Sequence, residues 1–328
     1  MLVLKREYMS FVKGNSKTPL AAWFILVFSI IAVSSAGAVF QMMEEIPPLL
    51  RASWRLQATS LVLLPFAIYQ YLNVNDDVKE KLFDRSNILI IIFSGTCLWL
   101  HFGSWVWSLD HTTLPRSLLF VTSHPLVIVV GMWIIKKPVS RNSTLGALIG
   151  FSGATIVILG VDSEGDATLI GDFAAFIGAV TVVGYFTAGR VLRNWMPLFL
   201  YAFPVTFLAS ILLSLSSYFF EGSSFDLIFN SNSILGWINI IWLPYVIYLA
   251  LGPGLVGHTG INAILRWFPP LIISVCLVME PLIGSLIGYL LVSTETPGWG
   301  TLIGGILLII GTLMVTTSQD DSSVVNGD

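Results

Sequence analysis

Ten long apolar segments, joined by short polar connections, restrict this chain to one class of structure. They cover residues 19–43, 52–72, 88–109, 114–135, 145–161, 173–189, 198–220, 234–265, 271–292 and 302–315. A helix of about 20 apolar residues crosses a hydrocarbon core of roughly 30 Å and satisfies its own backbone hydrogen bonds there. The sequence therefore predicts an all-α polytopic membrane protein with ten transmembrane helices.

The composition agrees and excludes several functions. Only 11% of the 328 residues are charged, whereas soluble globular domains carry about 25%. The net charge of −3, with no basic cluster, excludes a nucleic-acid partner. Cys97 and Cys276 both lie in apolar runs, which is typical of small buried hydrophobes rather than of a disulfide or metal site. The sequence contains no Walker loop or dinucleotide fingerprint, so we expect no bound cofactor and no metal.

The distribution of basic residues predicts the orientation. Ten spans place both ends of the chain on one side, and thirteen of the 16 Lys and Arg residues fall on that side. By the positive-inside rule both termini are expected to be cytoplasmic. We expect residues 1–18 to form a cytoplasmic segment and residues 318–328, which are polar and acidic, to form a disordered tail.

Three arginines are exceptions to this rule, since Arg51, Arg55 and Arg116 fall on the opposite side. Arg51 and Arg55 follow Glu44 and Glu45 closely in sequence, which favours a local ion pair over contact with a ligand. Arg116 lies at the start of the fourth span, where its side chain is expected to extend toward the membrane surface; the alternative is contact with an anionic group of a substrate.

The two halves of the chain carry similar residues at matching positions. Gly146 and Gly153 align with Gly304 and Gly311 at an offset of 158 residues. At nearly the same offset His101 aligns with His258, and His124-Pro125 with Glu280-Pro281. Each half then holds five spans, and because five is odd, the halves enter the membrane in opposite directions. This inverted arrangement is typical of secondary transporters.

With these positions identified, the chain resembles the EamA-type repeats of the drug/metabolite transporter superfamily. The residues that carry the resemblance are Pro47-Pro48-Leu-Leu-Arg51-Ala52, Gly146 to Gly153, Gly171-Asp172, Ala263-Ile-Leu-Arg266, Met279-Glu280-Pro281, Glu295-Thr-Pro297 and Gly304 to Gly311. His124-Pro125 and Lys137-Pro138 depart from the pattern. The resemblance implies two inverted five-helix repeats, 19–161 and 171–317. It also implies a carrier, not an enzyme, that moves a small organic metabolite, such as an amino acid or a nucleotide-sugar-like compound.

Glu280 is the clearest candidate for a coupling residue. A charged side chain in mid-membrane costs about 2.5–3.5 kcal/mol, so it is expected to face protein or a water-filled path. Pro281 lacks an N–H and permits a kink beside the carboxyl. Glu280 is therefore either a group that carries a proton during transport or a structural carboxylate paired with Arg266 or Arg190.

Polar side chains at helical spacing mark candidate cavity faces. His101 lies in the third span and His258, its repeat-mate, in the eighth, followed four residues later by Asn262. His124 lies in the fourth span and Tyr185 in the sixth. We predict that these five residues and Glu280 line a central cavity, with Pro125 and Pro281 as hinges.

Two other functions remain open at this stage. Gly150-Phe-Ser152-Gly153 has the form found in intramembrane serine proteases, with His258 as the conceivable base. A membrane scaffold or receptor without transport activity is the second alternative. The expected partners are a small-molecule solute and the lipid bilayer, and the oligomeric state stays open.

Overall fold

The computed structural model describes residues 19–134, 136, 138–160, 167–226, 230–265, 267–268, 273, 276–292 and 297–325. These residues are mostly helical. The α-helices are α1 (Leu20–Ser34), α2 (Ala36–Gln41), α3 (Pro48–Asn73), α4 (Asp76–Leu82), α5 (Arg85–Ser108), α6 (Leu114–Val121), α7 (His124–Ile134), α8 (Arg141–Leu159), α9 (Leu169–Arg193), α10 (Leu198–Glu221), α11 (Leu243–Leu249), α12 (Gly260–Ile264), α13 (Glu280–Val292) and α14 (Trp299–Val325). A π-helix, Ala250–Thr259, joins α11 to α12.

Within the described residues, six helical stretches are long and apolar enough to cross a membrane. They are Leu20–Gln41, Arg85–Ser108, Leu114–Ile134, Arg141–Leu159, Leu169–Arg193 and Leu198–Glu221. The apolar helices Glu280–Val292 and Trp299–Val315 are shorter. The chain is therefore an integral membrane protein. Helix α3 is long enough as well, but Arg51, Arg55 and its amide side chains lower its hydropathy.

Two prolines interrupt helices at positions that the sequence alignment of the two halves pairs. Helix α6 ends at Val121, and α7 begins after two intervening residues at His124, directly before Pro125. Helix α13 likewise begins at Glu280, directly before Pro281. Because each proline lacks an N–H and clashes with the carbonyl four residues earlier, the regular helix stops on its N-terminal side.

The eighth apolar run differs from the prediction at its start. Residues 234–242 form turns, including a short 3₁₀ helix at Gly236–Ile238, and the α-helix begins only at Leu243. Gly252, Pro253 and Gly254, which interrupt this apolar run, lie in a ten-residue π-helix. Its wider turn accommodates Pro253 without ending the helix, and such segments occur often at functional sites.

The last helix is longer than the sequence predicts. It continues to Val325, through most of the stretch for which a disordered tail is expected. Residues 318–325 contain no Gly or Pro, so adding them to an established helix meets no strong local barrier.

The helices pack in antiparallel pairs. Gly146 lies against Gly311 and Gly153 against Gly304, which makes α8 and α14 antiparallel. A Cβ atom at Gly153 would lie 2.5 Å from the carbonyl oxygen of Gly304. Small residues at such an interface permit close backbone packing in a membrane. In the same antiparallel sense α3 packs on α10, α5 on α9, and α1 on the π-helix.

Polar contacts join the connections at one end of the bundle. The carboxylate of Glu221 accepts hydrogen bonds from the backbone N–H groups of Leu49 and Leu50, at 2.7 and 3.0 Å. These groups lack helical partners at the start of α3, so Glu221 caps that helix. Nearby, Thr168 Oγ1 donates to the carbonyl of His111 at 2.5 Å.

A second set of contacts closes the other end. The backbone N–H of Phe199 donates to Oε1 of Gln70 at 2.8 Å, which ties the start of α10 to the end of α3. Arg190 donates to the carbonyl of Phe268 at 3.0 Å.

Candidate functional site

A cavity lies inside the bundle, between helices from the two halves of the chain. It is lined by Val33, Arg55, His101, Trp105, Val121, Thr122, His124, Val182, Phe186, His258, Ile261, Leu277 and Glu280. Both proline breaks border it, since Val121, Thr122 and His124 surround one break and Leu277 and Glu280 the other. The cavity therefore lies where the helices depart from regular geometry.

Arg55 provides the cation of this cavity, and the sequence did not predict it there. Its side chain is 1% exposed. The guanidinium lies 4.4 Å from the ring centre of Phe102 and 5.7 Å from that of Phe40. Contacts of this kind stabilise a cation on an aromatic face. Nε and Nη1 of Arg55 are buried and find no hydrogen-bond partner among the described residues.

Three histidines predicted as lining residues meet at this cavity. The rings of His101 and His258, which the alignment of the two halves pairs, have centroids 6.1 Å apart. His101 is fixed by a 2.9 Å hydrogen bond between Nδ1 and the carbonyl of Gly178. His258 packs against Phe102 at 5.1 Å. His124 packs against the ring of Phe186 at 6.0 Å, on another wall.

Glu280 supplies the carboxylate of the cavity wall. It is 9% exposed and interacts electrostatically with Arg55, but the described residues show no salt bridge between them within 4 Å. Of its two expected partners, Arg266 lies outside the described residues. The other, Arg190, donates to the carbonyls of Leu265 and Phe268.

Tyr185 and Asn262 form a layer behind the cavity wall. Asn262 Nδ2 donates to the hydroxyl of Tyr185 at 2.6 Å. The ring of Tyr185 lies 6.5 Å from that of His258, and Arg193 Nε donates to the backbone carbonyl of Asn262 at 3.1 Å. Neither of these two predicted residues is among the residues that line the cavity: Tyr185 lies beside His258, and Asn262 contacts Tyr185.

The ion pair expected between Arg51, Arg55 and the preceding glutamates is wrong. Glu44 and Glu45 are exposed. Arg51 is fully buried and pairs with Asp110, in the turn after α5. Burial raises the pKa of the Asp110 carboxyl, and the charge of Arg51 opposes that rise. The prediction failed because the helix directs both arginines inward, away from the glutamates.

The surface position expected for Arg116 is also wrong. Arg116 is fully buried and pairs with Asp172 of α9. Its Nη1 donates to the carbonyl of Val157 at 2.7 Å, and Thr112 Oγ1 donates to Asp172 at 2.7 Å. These partners stabilise the charge inside the protein, so the side chain does not need to reach water.

The protease alternative finds no support in the geometry. Ser152 is exposed on α8, and its hydroxyl donates to the carbonyl of Leu148. His258 instead packs against His101 and Phe102 in the cavity. Ser152 is exposed because Gly150 and Gly153 occupy the packed face of the helix. Among the described residues, no group of three His, Cys, Asp or Glu is placed to hold a metal ion.

The sequence held one usable signal for Arg55. It is the eighth residue of α3, which begins at Pro48, and so lies about two turns inside the helix. An ionisable residue at such a depth is expected to face protein or a cavity. The nearby Glu44 and Glu45 offered a simpler explanation, which concealed this signal.

Comparisons with known proteins agree with the helical architecture. Residues 19–159 match the model of the EamA-like transporter family. A solved structure titled "Crystal structure of protein" superposes with a TM-score of 0.61, at 19% identity, covering 93% of this chain and 99% of that one. At that identity the likeness shows the fold alone. The comparison with curated proteins gave no match.

Proposed function

From the premise that residues 19–159 form an EamA-like transporter unit, we propose that this chain is a secondary transporter of a small organic metabolite. It works by alternating access, in which one cavity opens to each side of the membrane in turn. The observation that carries the proposal is the buried polar cavity between the two halves, lined by Arg55, three histidines and Glu280.

The proposed architecture is ten transmembrane helices in two inverted repeats, 19–161 and 171–317, with both termini cytoplasmic. The glycine contacts support it. In the alignment of the two halves, Gly146 corresponds to Gly304 and Gly153 corresponds to Gly311. If the halves are related by symmetry, the contact of Gly153 with Gly304 must be matched by a contact of Gly311 with Gly146. Both contacts occur. Reciprocal contacts of this kind are expected across a two-fold axis, and antiparallel mates are expected for inverted repeats.

The proline breaks give this architecture a means of movement. A helix interrupted at Pro125 or Pro281 lacks a continuous hydrogen-bond ladder, so the segments on either side can change their angle. Both breaks lie in the cavity wall. We assign Pro125 and Pro281 as hinges about which the cavity closes to one side and opens to the other.

The proposed roles of the polar residues follow from their positions. His101, His124 and His258 contact the solute, while Tyr185 and Asn262 hold His258 in place from behind. Glu280 takes up and releases the coupled proton. Its position beside the Pro281 hinge links its charge to the conformation of the helix.

Uptake by proteoliposomes tests this proposal. A thermal-shift screen of metabolite pools first identifies a stabilising solute, because a ligand that binds the folded state raises its melting temperature. The wild type should then accumulate the labelled solute when a pH gradient is imposed. Glu280→Gln should lose pH-driven uptake and keep solute exchange, and the exposed control Glu45→Gln should behave as the wild type.

Two results would count against the proposal. Unchanged pH-driven uptake by Glu280→Gln would remove Glu280 from the coupling step. If stabilising solutes are bound but never transported, the chain is a receptor or scaffold instead of a carrier.

A further inference from the structure

We infer that Arg55 binds the anionic group of the transported solute, so that the substrates are small organic anions, either carboxylates or phosphate esters. The inference rests on the proposed transport function and names its substrate class. It follows from the contrast between Arg55 and the two other fully buried arginines, from the atoms around its guanidinium, and from the charges of the cavity.

Arg55 differs from Arg51 and Arg116 in its partners. Each of the other two meets a carboxylate, that of Asp110 or Asp172, and a backbone carbonyl. Arg55 is buried to the same degree, yet it has no salt bridge to the described residues, and its Nε and Nη1 find no hydrogen-bond partner among them. A guanidinium stays charged in proteins. A buried charge without a partner is costly, so the cavity is built for a ligand that supplies one.

The aromatic neighbours of Arg55 leave the N–H groups at the edge of its planar guanidinium available to a ligand. Phe102 and Phe40 stabilise the cation through their ring faces. A phenylalanine ring has no oxygen atom that could accept a hydrogen bond from the guanidinium. The N–H groups of the guanidinium are therefore left to an oxygen-rich group. Carboxylates and phosphates match the planar fork of arginine better than neutral groups do.

The other groups around the cavity do not neutralise Arg55 by themselves. His101, His124 and His258 face the same space, and Tyr185 lies behind His258; none of these side chains is anionic at neutral pH. Glu280 is the carboxylate among the described lining residues, and it is not in contact with Arg55. When Glu280 holds a proton, the cavity has one positive charge, and an anion restores neutrality. An anion and a proton would then bind and cross together.

The lining also indicates the shape of the solute. Apart from the polar groups, the wall consists of apolar and aromatic side chains, including Trp105, Phe186, Val33 and Val182. The free volume of the cavity in this conformation is about 30 Å³, so the cavity must widen to admit an anion that pairs its charge with Arg55 and buries an apolar body against these residues.

Matched pairs of solutes that differ in charge test the inference. The melting temperature of the full-length protein in nanodiscs is measured with each member of three pairs of an anion and a neutral analogue. The pairs are phenylacetate with phenylacetamide, succinate with succinamide, and glucose 6-phosphate with glucose. At least one anion should raise the melting temperature while its neutral partner does not. The carboxylate and phosphate arms identify which anion the site prefers. In Arg55→Met the affinity for that anion should fall by about 10–100-fold, the loss of a hydrogen bond to a charged group.

Two further variants keep the test decisive. Arg55→Lys retains the charge and should bind the anion more weakly than the wild type but more tightly than Arg55→Met. Lys79→Met removes a cation from the short helix Asp76–Leu82 and should bind as the wild type does. The inference is overturned if no anion in the panel stabilises the wild type, if neutral partners stabilise it equally, or if Arg55→Met keeps the response. Transport of a neutral solute would overturn it while leaving the transporter function intact.

Discussion

Three arginines that the sequence assigns to the non-cytoplasmic side are all buried. Their positions therefore do not contradict the positive-inside rule. Arg51, Arg55 and Arg116 are each at most 1% exposed. The rule concerns charges in the loops that flank the spans, so a buried arginine does not bear on orientation. Two of the three are held by carboxylates and stabilise the fold, whereas Arg55 faces the cavity. The same residue type thus serves different purposes according to its partners.

The ion pair of Arg116 with Asp172 gives a stability prediction. We expect Arg116→Met to lower the free energy of unfolding by about 3–5 kcal/mol, because it leaves the buried carboxylate of Asp172 without its cation. The measurement is thermal or denaturant unfolding of the purified protein in detergent.

The chain provides a matched control in the exposed pair of Lys79 with Asp76, 3.0 Å apart. Lys79→Met should leave the melting temperature unchanged, since exposed ion pairs contribute little. Equal melting temperatures for Arg116→Met and the wild type would show that the buried pair is not a stabilising element.

At the scale of the helices, the breaks at two prolines could be predicted from local sequence, whereas the start of the helix at Leu243 could not. The breaks at Pro125 and Pro281 follow from the missing N–H of proline, an effect that does not depend on the rest of the fold. The turns at residues 234–242 depend on distant groups. Trp237 Nε1 donates to Oε1 of Gln57 at 2.9 Å, and Trp54 Nε1 donates to the carbonyl of Ser233 at 3.1 Å. An apolar composition alone does not reveal such contacts, so the sequence placed the helix start too early.

The close packing of α8 on α14 gives a second prediction. Gly153→Ala would place a Cβ atom 2.5 Å from both the carbonyl oxygen of Gly304 and the backbone nitrogen of Leu308. The helices must then separate, and we expect a loss of stability of about 1–3 kcal/mol, as for other overpacked sites.

Gly131→Ala is the control for this substitution, because an added Cβ atom meets nothing within 4 Å there. Alanine is the better helix former, so this variant should be more stable by about 0.5–1 kcal/mol. Melting temperatures of the two purified variants measure the contrast. If both variants shift in the same direction, the packing role of Gly153 is refuted.

At the scale of the whole molecule, the sequence predicts a repeat, which stays a prediction, but it did not predict the cavity cation. The aligned glycines and prolines indicate the repeat, and the rings of His101 and His258, which the alignment pairs, have centroids 6.1 Å apart. Arg55 has no charged counterpart in the second half. Its role depends on how α3 is rotated against helices that follow much later in the chain. That rotation is fixed by packing among many side chains and is not encoded in any one segment.

The ten-span arrangement makes a prediction about access from each side of the membrane. Helix α3 is the critical element, because its hydropathy is low for a membrane span. If it crosses the membrane, Glu45 before it and Asp77 after it lie on opposite sides. If the repeats are inverted as proposed, Asn230, in the connection after α10, lies on the same side as Glu45. All three side chains are exposed, so a cysteine at each position is accessible to a reagent.

Single cysteines are introduced at these positions after Cys97 and Cys276 have been replaced by alanine. A membrane-impermeant thiol reagent added to intact cells or sealed organelles should label Glu45→Cys and Asn230→Cys alike. When the non-cytoplasmic face of the membrane is exposed to the reagent, Asp77→Cys should react only after the membrane is permeabilised. In inside-out vesicles Asp77→Cys should be labelled directly, and the other two cysteines should be labelled only after permeabilisation. Labelling of Glu45→Cys and Asp77→Cys from the same side would show that α3 does not cross. The two halves would then not be inverted copies, and a cavity shared at their interface would lose its explanation.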